Sequence, residues 1–442
     1  MGLKASFYNH YITQNSKQFV YNLLSTAIIE LDENIFELIK NNQIDRIDKS
    51  IKESLISEGI IVKDNVDESL IYKTYYDSIR LGETAKTLTV TLVPSYNCNL
   101  ACPYCLQGSG KLTKKMNIKE VDAVLNFIHN KLSDTDGVEI KHLAISLYGG
   151  EAMMNKKELI YFCENTKKIA EIFKISSDYQ MTTNLTLLDD SMIKMINDYQ
   201  ISIQVTIDGT KEQHDKKRIN KNGGGTFDTI INNLEKLCEC GLKDLITIRI
   251  NIDNTNIDDA EKIFDTVSKY SNDVYFGFLQ PFKGYNDNYK DRCVNEEQQS
   301  LIISKMFNDI LVKRNFIIPQ SFGKKSPCSL NCRNKYYFDC NLDVYKCELL
   351  LNQKECSVGK LNYNGDIEYN HNYYYQMNFS PYEFEKCKKC KLLPACAGGC
   401  PAKKYIEEGN KDGCVMISNC YIDEQSLNFY LKEYIERIQK NL

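Results

Sequence analysis

The chain has 442 residues, with 55 Lys+Arg against 59 Asp+Glu and a formal net charge of -4. That length predicts two or three domains and a sizeable interior. The charge leaves no basic excess to neutralise a phosphate backbone, and no apolar run approaches the ~20 residues that span a bilayer, so neither nucleic acid nor a membrane is expected as a partner.

The start, MGLKASFYNHYITQN, lacks an apolar stretch of signal-peptide length, which predicts a cytoplasmic protein. Cytosolic reductants keep thiols reduced, so the 18 cysteines predict metal ligation rather than disulfides. None precedes Cys98, three lie between Cys98 and Cys105, and most of the others lie from Cys328 onward. Two separate metal regions are expected.

Residues 1–85 read as a small α+β unit. QFVYNLL and TAIIELD are strand-like, a helical pattern puts Ile44, Ile47, Ile51 and Leu55 on one face, and IIVKD follows. This is the outline of a winged helix, but acidic residues outnumber basic ones there, which argues against DNA. A strand edge beside a helix can instead accept an extended peptide through main-chain hydrogen bonds, which need no positive field. Residues 64–86, DNVDESLIYKTYYDSIRLGETAK, read as a connector.

From 87 onward strands and helices alternate. LTVTLVP precedes a helix near 117–132, HLAISLYGG one near 155–173 and YQMTTN one near 188–199; ISIQVTIDG, LITIRINID and VYFGFLQPF continue the series. In the first helix Val121, Val124, Leu125, Ile128 and Leu132 make an apolar stripe suited to packing on a parallel sheet. Six β/α units across 86–320 predict an α/β fold with a partial, TIM-like barrel and chemistry at the carboxyl ends of its strands. Residues 321–425 are Tyr-, Asn- and Cys-rich, a loop-rich domain that needs metal to hold it together, and 426–442 reads as a C-terminal helix.

Cys98, Cys102 and Cys105 form C-x-x-x-C-x-x-C directly after a strand. Three thiolates this close can hold three corners of a 4Fe-4S cube, leaving one iron open to a molecule with an amine and a carboxylate. A zinc knuckle would want a fourth ligand, and no fourth Cys or His stands nearby. With Tyr104 before the last cysteine, the motif resembles that of the radical S-adenosylmethionine superfamily. Gly149, Gly150 and Glu151 resemble the family's GGE, which contacts the methionine amino group of S-adenosylmethionine: glycines allow close backbone approach, and a carboxylate complements an ammonium. Alone, GGE would be a turn. MTTNLTLLDD resembles the third-strand TN segment, making Thr183 and Asn184 hydrogen-bonding partners of the cofactor, or else a turn and helix cap. IDGTKEQHDKKR resembles the fourth-strand segment, which brings Thr206, Asp208 and Arg218 toward cofactor or substrate. Arg218 is then a carboxylate clamp or a solvated surface residue, and His214 is structural. The resemblance implies that one electron enters the cluster, the bound sulfonium is cleaved, and a 5'-deoxyadenosyl radical abstracts a substrate hydrogen in a dry, orienting barrel.

Cys387, Cys390, Cys396 and Cys400 form C-x2-C-x5-C-x3-C, with Cys328, Cys332 and Cys347 upstream and Cys414 and Cys420 downstream. This resembles the SPASM extension of peptide-modifying radical enzymes, which houses two auxiliary 4Fe-4S clusters. By that pattern Cys328, Cys332, Cys347 and Cys400 hold the first and Cys387, Cys390, Cys396 and Cys420 the second, three clusters in all. One of Cys328 and Cys332 can be a non-ligand that leaves an iron open to a substrate thiolate, and Cys414 competes with Cys420. Where the family has a glycine this chain has Leu342, although neighbouring Asn341 can take the left-handed turn. Cys163, Cys238, Cys240, Cys293, Cys340, Cys356 and Cys414 read as buried apolar residues. Glu348 stands where sulfatase-maturing relatives carry an acid proposed to deprotonate the substrate, and reads as a catalytic base or a surface carboxylate.

The resemblance implies a maturase of ribosomally made peptides. Its winged-helix-like unit would hold the leader of a precursor peptide while the core peptide reaches the barrel, with reduced flavodoxin or ferredoxin as electron donor. The expected product is a thioether between a cysteine sulfur and a nearby carbon. Formylglycine formation on a sulfatase, carbon-carbon or carbon-nitrogen crosslinking, and a zinc-stabilised binding protein without catalysis are the alternatives. The long segment ahead of Cys98 counts against the first of these.

Overall fold

The structure is a computed structural model that describes residues 2–107, 114–134, 138–279, 287–294, 327–406 and 423–441. The chain opens with β1 (Leu3–Ala5), β2 (Asn9–Gln14), β3 (Lys17–Asn22), β4 (Ile28–Leu31), α1 (Glu33–Lys40), α2 (Lys49–Ser57), β5 (Ile61–Lys63) and α3 (Glu68–Leu81). β2, β3 and β4 form an antiparallel meander, and β1 pairs with β5. Asn15 and Ser16 both take positive φ in the turn from β2 to β3, the twist that a two-residue hairpin demands. Ile44 lies in a single 3-10 turn, Ile47 in extended chain, and only Ile51 and Leu55 share α2. The expected stripe is therefore split by a break before α2, yet all four side chains reach one core with Val20, Ile39 and Ile60.

Residues 64–86, read as a connector, contain the 14-residue helix α3. Asp67 caps it by accepting from the Ser69 and Leu70 amides. The helix buries Tyr72 and Tyr76 and leaves Leu70, Ile71 and Leu81 exposed. Its hydrophobic periodicity thus points away from the face that packs.

The middle of the chain runs β6 (Thr87–Val93), α4 (Ile118–Ser133), β7 (His142–Leu147), α5 (Lys156–Phe173), β8 (Ser176–Thr183), α6 (Asp190–Tyr199), β9 (Ser202–Ile207), α7 (Lys211–Lys217), α8 (Phe227–Glu239), β10 (Ile246–Ile252), α9 (Ala260–Val267) and β11 (Asp273–Phe278). β6 through β11 pair in chain order and all in parallel. Side chains alternate along them. Leu88, Val90, Leu143, Ile145, Ile203, Val205, Ile248 and Ile250 join the main core with Val121, Val124 and Ile128 of α4, whereas Thr91, Ser146, Gln180, Thr182, Gln204, Thr206, Thr247 and Arg249 line an interior cavity. Asn117 starts α4 with a capping box closed by Glu120.

The ladder continues past β6. β12 (Lys335–Asp339) pairs in parallel with the other edge of β6, and β13 (Asp343–Tyr345), β14 (Gly359–Leu361) and β15 (Ile367–Tyr369) follow antiparallel, giving a mixed sheet of ten strands among the described residues. Among the described residues β11 and β6 do not meet, so the barrel is partial. Leu342, not Asn341, takes the left-handed conformation, with φ 63°. Asp339 holds it there: its carboxylate accepts from the amides of Asn341 at 2.8 Å and Asp343 at 2.9 Å. The cost of a side chain in that region falls on a residue fixed by its neighbours.

The terminal helix, Glu424–Asn441, starts two residues earlier than the sequence suggests. Its Leu427, Leu431 and Ile435 form one core with Tyr8, Ile12, Phe19, Tyr21 and Ala395. Among the described residues no helix is long and apolar enough to cross a membrane. Leu431→Ala is expected to cost about 2–5 kcal/mol through the cavity it leaves. Hydrogen exchange should then quicken at β2 and β3 and stay unchanged at β6–β11.

Candidate active site

The cavity, of about 470 Å3, runs along the barrel interior and is walled toward the carboxyl ends of the parallel strands by Cys98, Cys102, Cys105, Gly149, Gly150, Thr183, Asn184, Thr206, Arg218 and Glu348. The three cysteines sit on the loop after β6, and each lies in the electrostatic field of the others or of Arg218. Burial raises the Cys98 thiol and pushes Cys102 up to about 12. Burial therefore keeps Cys98 and Cys102 protonated until a metal displaces the proton. Among the described residues no three His, Cys, Asp or Glu side chains are gathered to hold a single ion.

The glycine pair positions that loop. The Gly150 amide donates to Ser95 O and the Glu151 amide to Asn97 O, both at 3.0 Å. A Cβ on Gly150 would stand 2.2 Å from Asn97 O, and one on Gly149, at φ 140°, 2.5 Å from Ser95 O. The close approach that requires glycine is thus to the cysteine loop, while the pair also lines the cavity.

Glu151 does not line the cavity as the GGE resemblance led one to expect. It is 2% exposed, and its carboxylate accepts from Thr183 Oγ1 at 2.6 Å, the Asn184 amide at 2.6 Å and the Met153 amide at 3.0 Å. Burial raises its pKa while those donors oppose the shift. The Asn184 side chain in turn donates to Asn99 Oδ1 at 2.9 Å and stands 3.7 Å from Cys98 Sγ. One carboxylate thereby links the ends of β7 and β8 to the cysteine loop.

Asp208 is likewise fully buried behind the cavity wall. It accepts a short hydrogen bond from the Tyr104 hydroxyl, which also accepts from Arg218 Nη1 at 2.9 Å. Arg218 is 8% exposed, so the solvated-surface reading falls. Its Nε and Asp208 Oδ1 are both buried without a hydrogen-bond partner among the described residues. Beneath this group His214 Nδ1 accepts from the Asp208 amide at 3.2 Å, and Nε2 meets Thr226 Oγ1 at 3.1 Å. Thr226 donates to Arg218 O at 2.8 Å. Burial and the Arg218 charge lower His214 to about 3, so it is a neutral structural support.

Glu348 enters from the other side. β12 delivers Tyr337 and Lys335 to the cavity, and Tyr337 donates to Glu348 Oε2 at 3.1 Å. Arg249 and Tyr275 complete that wall, Tyr275 donating to Gln204 at 2.7 Å. Tyr148, Lys335, Tyr337, Arg249 and Tyr275 escaped the motif-based reading. The period-two polar residues Thr247, Arg249 and Asn251 on β10 were a usable signal, because a strand covered on both faces would carry apolar residues instead.

Among the second group of cysteines, Cys347 is buried and lies near Cys328 and Cys400, and Cys387 packs with Cys390. Cys332 lies beside Lys346, which is 0% exposed and donates to Cys332 O at 2.6 Å. Cys414 and Cys420 lie outside the described residues. Of the remaining cysteines, Cys163, Cys293, Cys340 and Cys356 are buried as expected, Cys238 is half-buried, and Cys240 is exposed at the end of α8.

The donor set fits a radical-forming cluster and its sulfonium cofactor: three thiols, two glycines and the Arg218 side chain line one space. Residues 92–267 match the family model for the radical SAM superfamily. The cysteine-type anaerobic sulfatase-maturating enzyme of Clostridium perfringens (strain 13 / Type A) is 22% identical over 369 residues, 77% of this chain and 92% of that protein. Native anSMEcpe with bound AdoMet and Kp18Cys peptide superposes with a TM-score of 0.62 at 19% identity, covering 80% of this chain and 100% of its own. Streptococcus suis SuiB bound to precursor peptide SuiA gives a TM-score of 0.52 at 16% identity, covering 95% of this chain and 100% of its own.

His214 generates a pH prediction. Its folded-state pKa lies below the ordinary 6.5, so the native state binds fewer protons than the unfolded chain. The stability it contributes is complete above pH 6.5 and is lost as pH falls toward about 3. His214→Gln, which cannot titrate, should unfold in urea with a shallower pH dependence across that window.

Proposed function

Residues 92–267 are a radical S-adenosylmethionine domain, and from that premise we propose that the protein is a peptide maturase that joins a cysteine sulfur to a nearby carbon of a ribosomally made precursor. The observation that carries this reading is the shared cavity: the three-cysteine loop after β6 and Glu348, beside Cys347, wall the same space. Coverage adds to it. The likeness to the precursor-bound maturase extends over 95% of the chain, against 80% for the sulfatase-maturating structure.

In this reading Cys98, Cys102 and Cys105 hold the radical-forming cluster, and Tyr104, Gly149, Gly150, Thr183, Asn184, Thr206 and Arg218 surround S-adenosylmethionine, with Glu151 and Asp208 fixing them from behind. Cys328, Cys332, Cys347 and Cys400 hold one auxiliary cluster, and Cys387, Cys390, Cys396 and Cys420 the other. When bound, these groups supply a 5'-deoxyadenosyl radical that takes a hydrogen atom and an iron-sulfur site that takes an electron. The chain's own part is positioning and proton transfer. Glu348 accepts the proton of the substrate thiol, with Tyr337 fixing its carboxylate. Arg249 and Tyr275 orient the peptide opposite. The winged-helix-like unit of residues 1–85 holds the leader along a strand edge, a cytoplasmic flavodoxin or ferredoxin delivers the electron, and leader tethering raises the local concentration of the core peptide.

Mass spectrometry of a co-expressed precursor tests this: the peptide should lose two hydrogens, and Cys102→Ala should release neither product nor 5'-deoxyadenosine. An unchanged mass with active cofactor cleavage would sink the crosslinking reading. The sulfatase reading is favoured by the 92% coverage of that relative, and formylglycine in a sulfatase-type peptide would establish it instead. Glu348→Gln should still form 5'-deoxyadenosine while crosslinked product falls about 100-fold, the scale of a lost general base. Equal loss of both would remove Glu348 from the proton transfer.

A further inference from the structure

The helix α3 runs past both sets of auxiliary cysteines. Tyr72 and Tyr76, one turn apart on one face, are each 0% exposed. They form one packed cluster with Cys387, Leu393 and Ala397, joined by Cys390 and Tyr382. Tyr72 lies near Cys396, Tyr8 near Cys390, and Tyr76 near Cys328 and Cys332. The Tyr382 ring stands 6.2 Å from the ring of Tyr72.

The hydroxyls of Tyr8, Tyr72, Tyr76 and Tyr382 are all buried without a hydrogen-bond partner among the described residues. A buried phenol ordinarily finds an acceptor, and each one left alone is destabilising. Four in one region mark an acceptor of another kind. A neutral phenol has a proton to give, and Tyr72, Tyr76 and Tyr382 pack beside Cys387 and Cys390. The neighbouring cysteine sulfurs become strong acceptors once they are cluster thiolates.

We propose that Tyr8, Tyr72, Tyr76 and Tyr382 donate hydrogen bonds to the sulfur atoms of the two auxiliary iron-sulfur clusters and set their reduction potentials. The inference rests on the reading that these cysteines hold clusters. A donor aimed at a cluster sulfur stabilises the more negative, reduced state and raises the potential. The auxiliary clusters then accept an electron more readily. α3 is also bound to the N-terminal strands, since Glu68 in its first turn accepts from Ser6 Oγ and from the Phe7 amide at 2.9 Å. The peptide-holding unit and the groups that tune the electron acceptors are thus parts of one element.

The full chain, reconstituted anaerobically, provides the test through iron content, redox titration followed by EPR, and proton ENDOR after exchange into deuterated water. The wild type should carry about twelve iron atoms, four per cluster, with exchangeable protons coupled to the auxiliary clusters. Tyr72→Phe and Tyr76→Phe keep the rings and remove only the donors. Each should move an auxiliary midpoint to more negative values by about tenfold in the reduction equilibrium, ~59 mV for one electron, and lose an exchangeable coupling. The three-cysteine cluster should not move. Unchanged potentials and couplings with full iron would overturn the inference, whereas wild-type protein with iron for a single cluster would overturn the cluster reading beneath it. Should an α3 variant lose iron, Tyr8→Phe, which lies off the helix, decides the matter: a shifted potential and lost coupling support the inference, and neither overturns it.

Discussion

The loop bearing Cys98, Cys102 and Cys105 has no regular structure of its own, and the end of β7 holds it on one side while residues 219–221 pair with it on the other. Two amides of the Gly149–Glu151 turn donate into its backbone, and the absence of side chains at Gly149 and Gly150 lets the two segments touch. The Glu151 carboxylate then carries the same restraint across to Thr183 and Asn184 on β8. Three thiols are useful as a group only if their mutual positions survive thermal motion. Here that rigidity comes from a buried acid with every donor in place.

A second restraint joins the cysteine-rich segment to the barrel. Because β12 adds to β6 in parallel, Tyr337 faces the cavity and Glu348 follows close behind. The same segment meets the N-terminal unit through α3 and the terminal helix. Three stretches far apart in sequence therefore share side chains around two sets of cysteines. A loop-rich region gains from such contacts what it lacks in regular hydrogen bonding.

Much of this was legible in the residues. Cysteine spacing and the period-two apolar strands between amphipathic helices give the barrel and its reactive end, because both patterns have few structural explanations. Other features were hidden for physical reasons. α3 packs tyrosines and exposes Leu70, Ile71 and Leu81, so its apolar stripe marks the wrong side, although Asp67 carried an ordinary capping signal. Ile44 and Ile47 keep the spacing of a helix without its backbone, since burial in one core does not require one helix. Glu151 and Asp208 were read as ligand contacts, and a motif gives identity and order but not that these carboxylates also bond Asn184 and Tyr104. Left-handed Leu342 could not be foreseen, because it depends on Asp339 accepting from two amides across the turn.

The seam between β12 and β6 also governs how the protein can be divided. A barrel separated from the segment after residue 320 would keep its six parallel strands and lose the neighbour of Thr87–Val93. It would present a bare row of amides and carbonyls beside Leu88, Val90 and Leu92, all buried in the intact chain. Such an edge recruits other chains and seeds aggregation. The cysteine-rich segment is therefore a covering strand of the barrel as well as a carrier of ligands, and its removal would be felt first as insolubility.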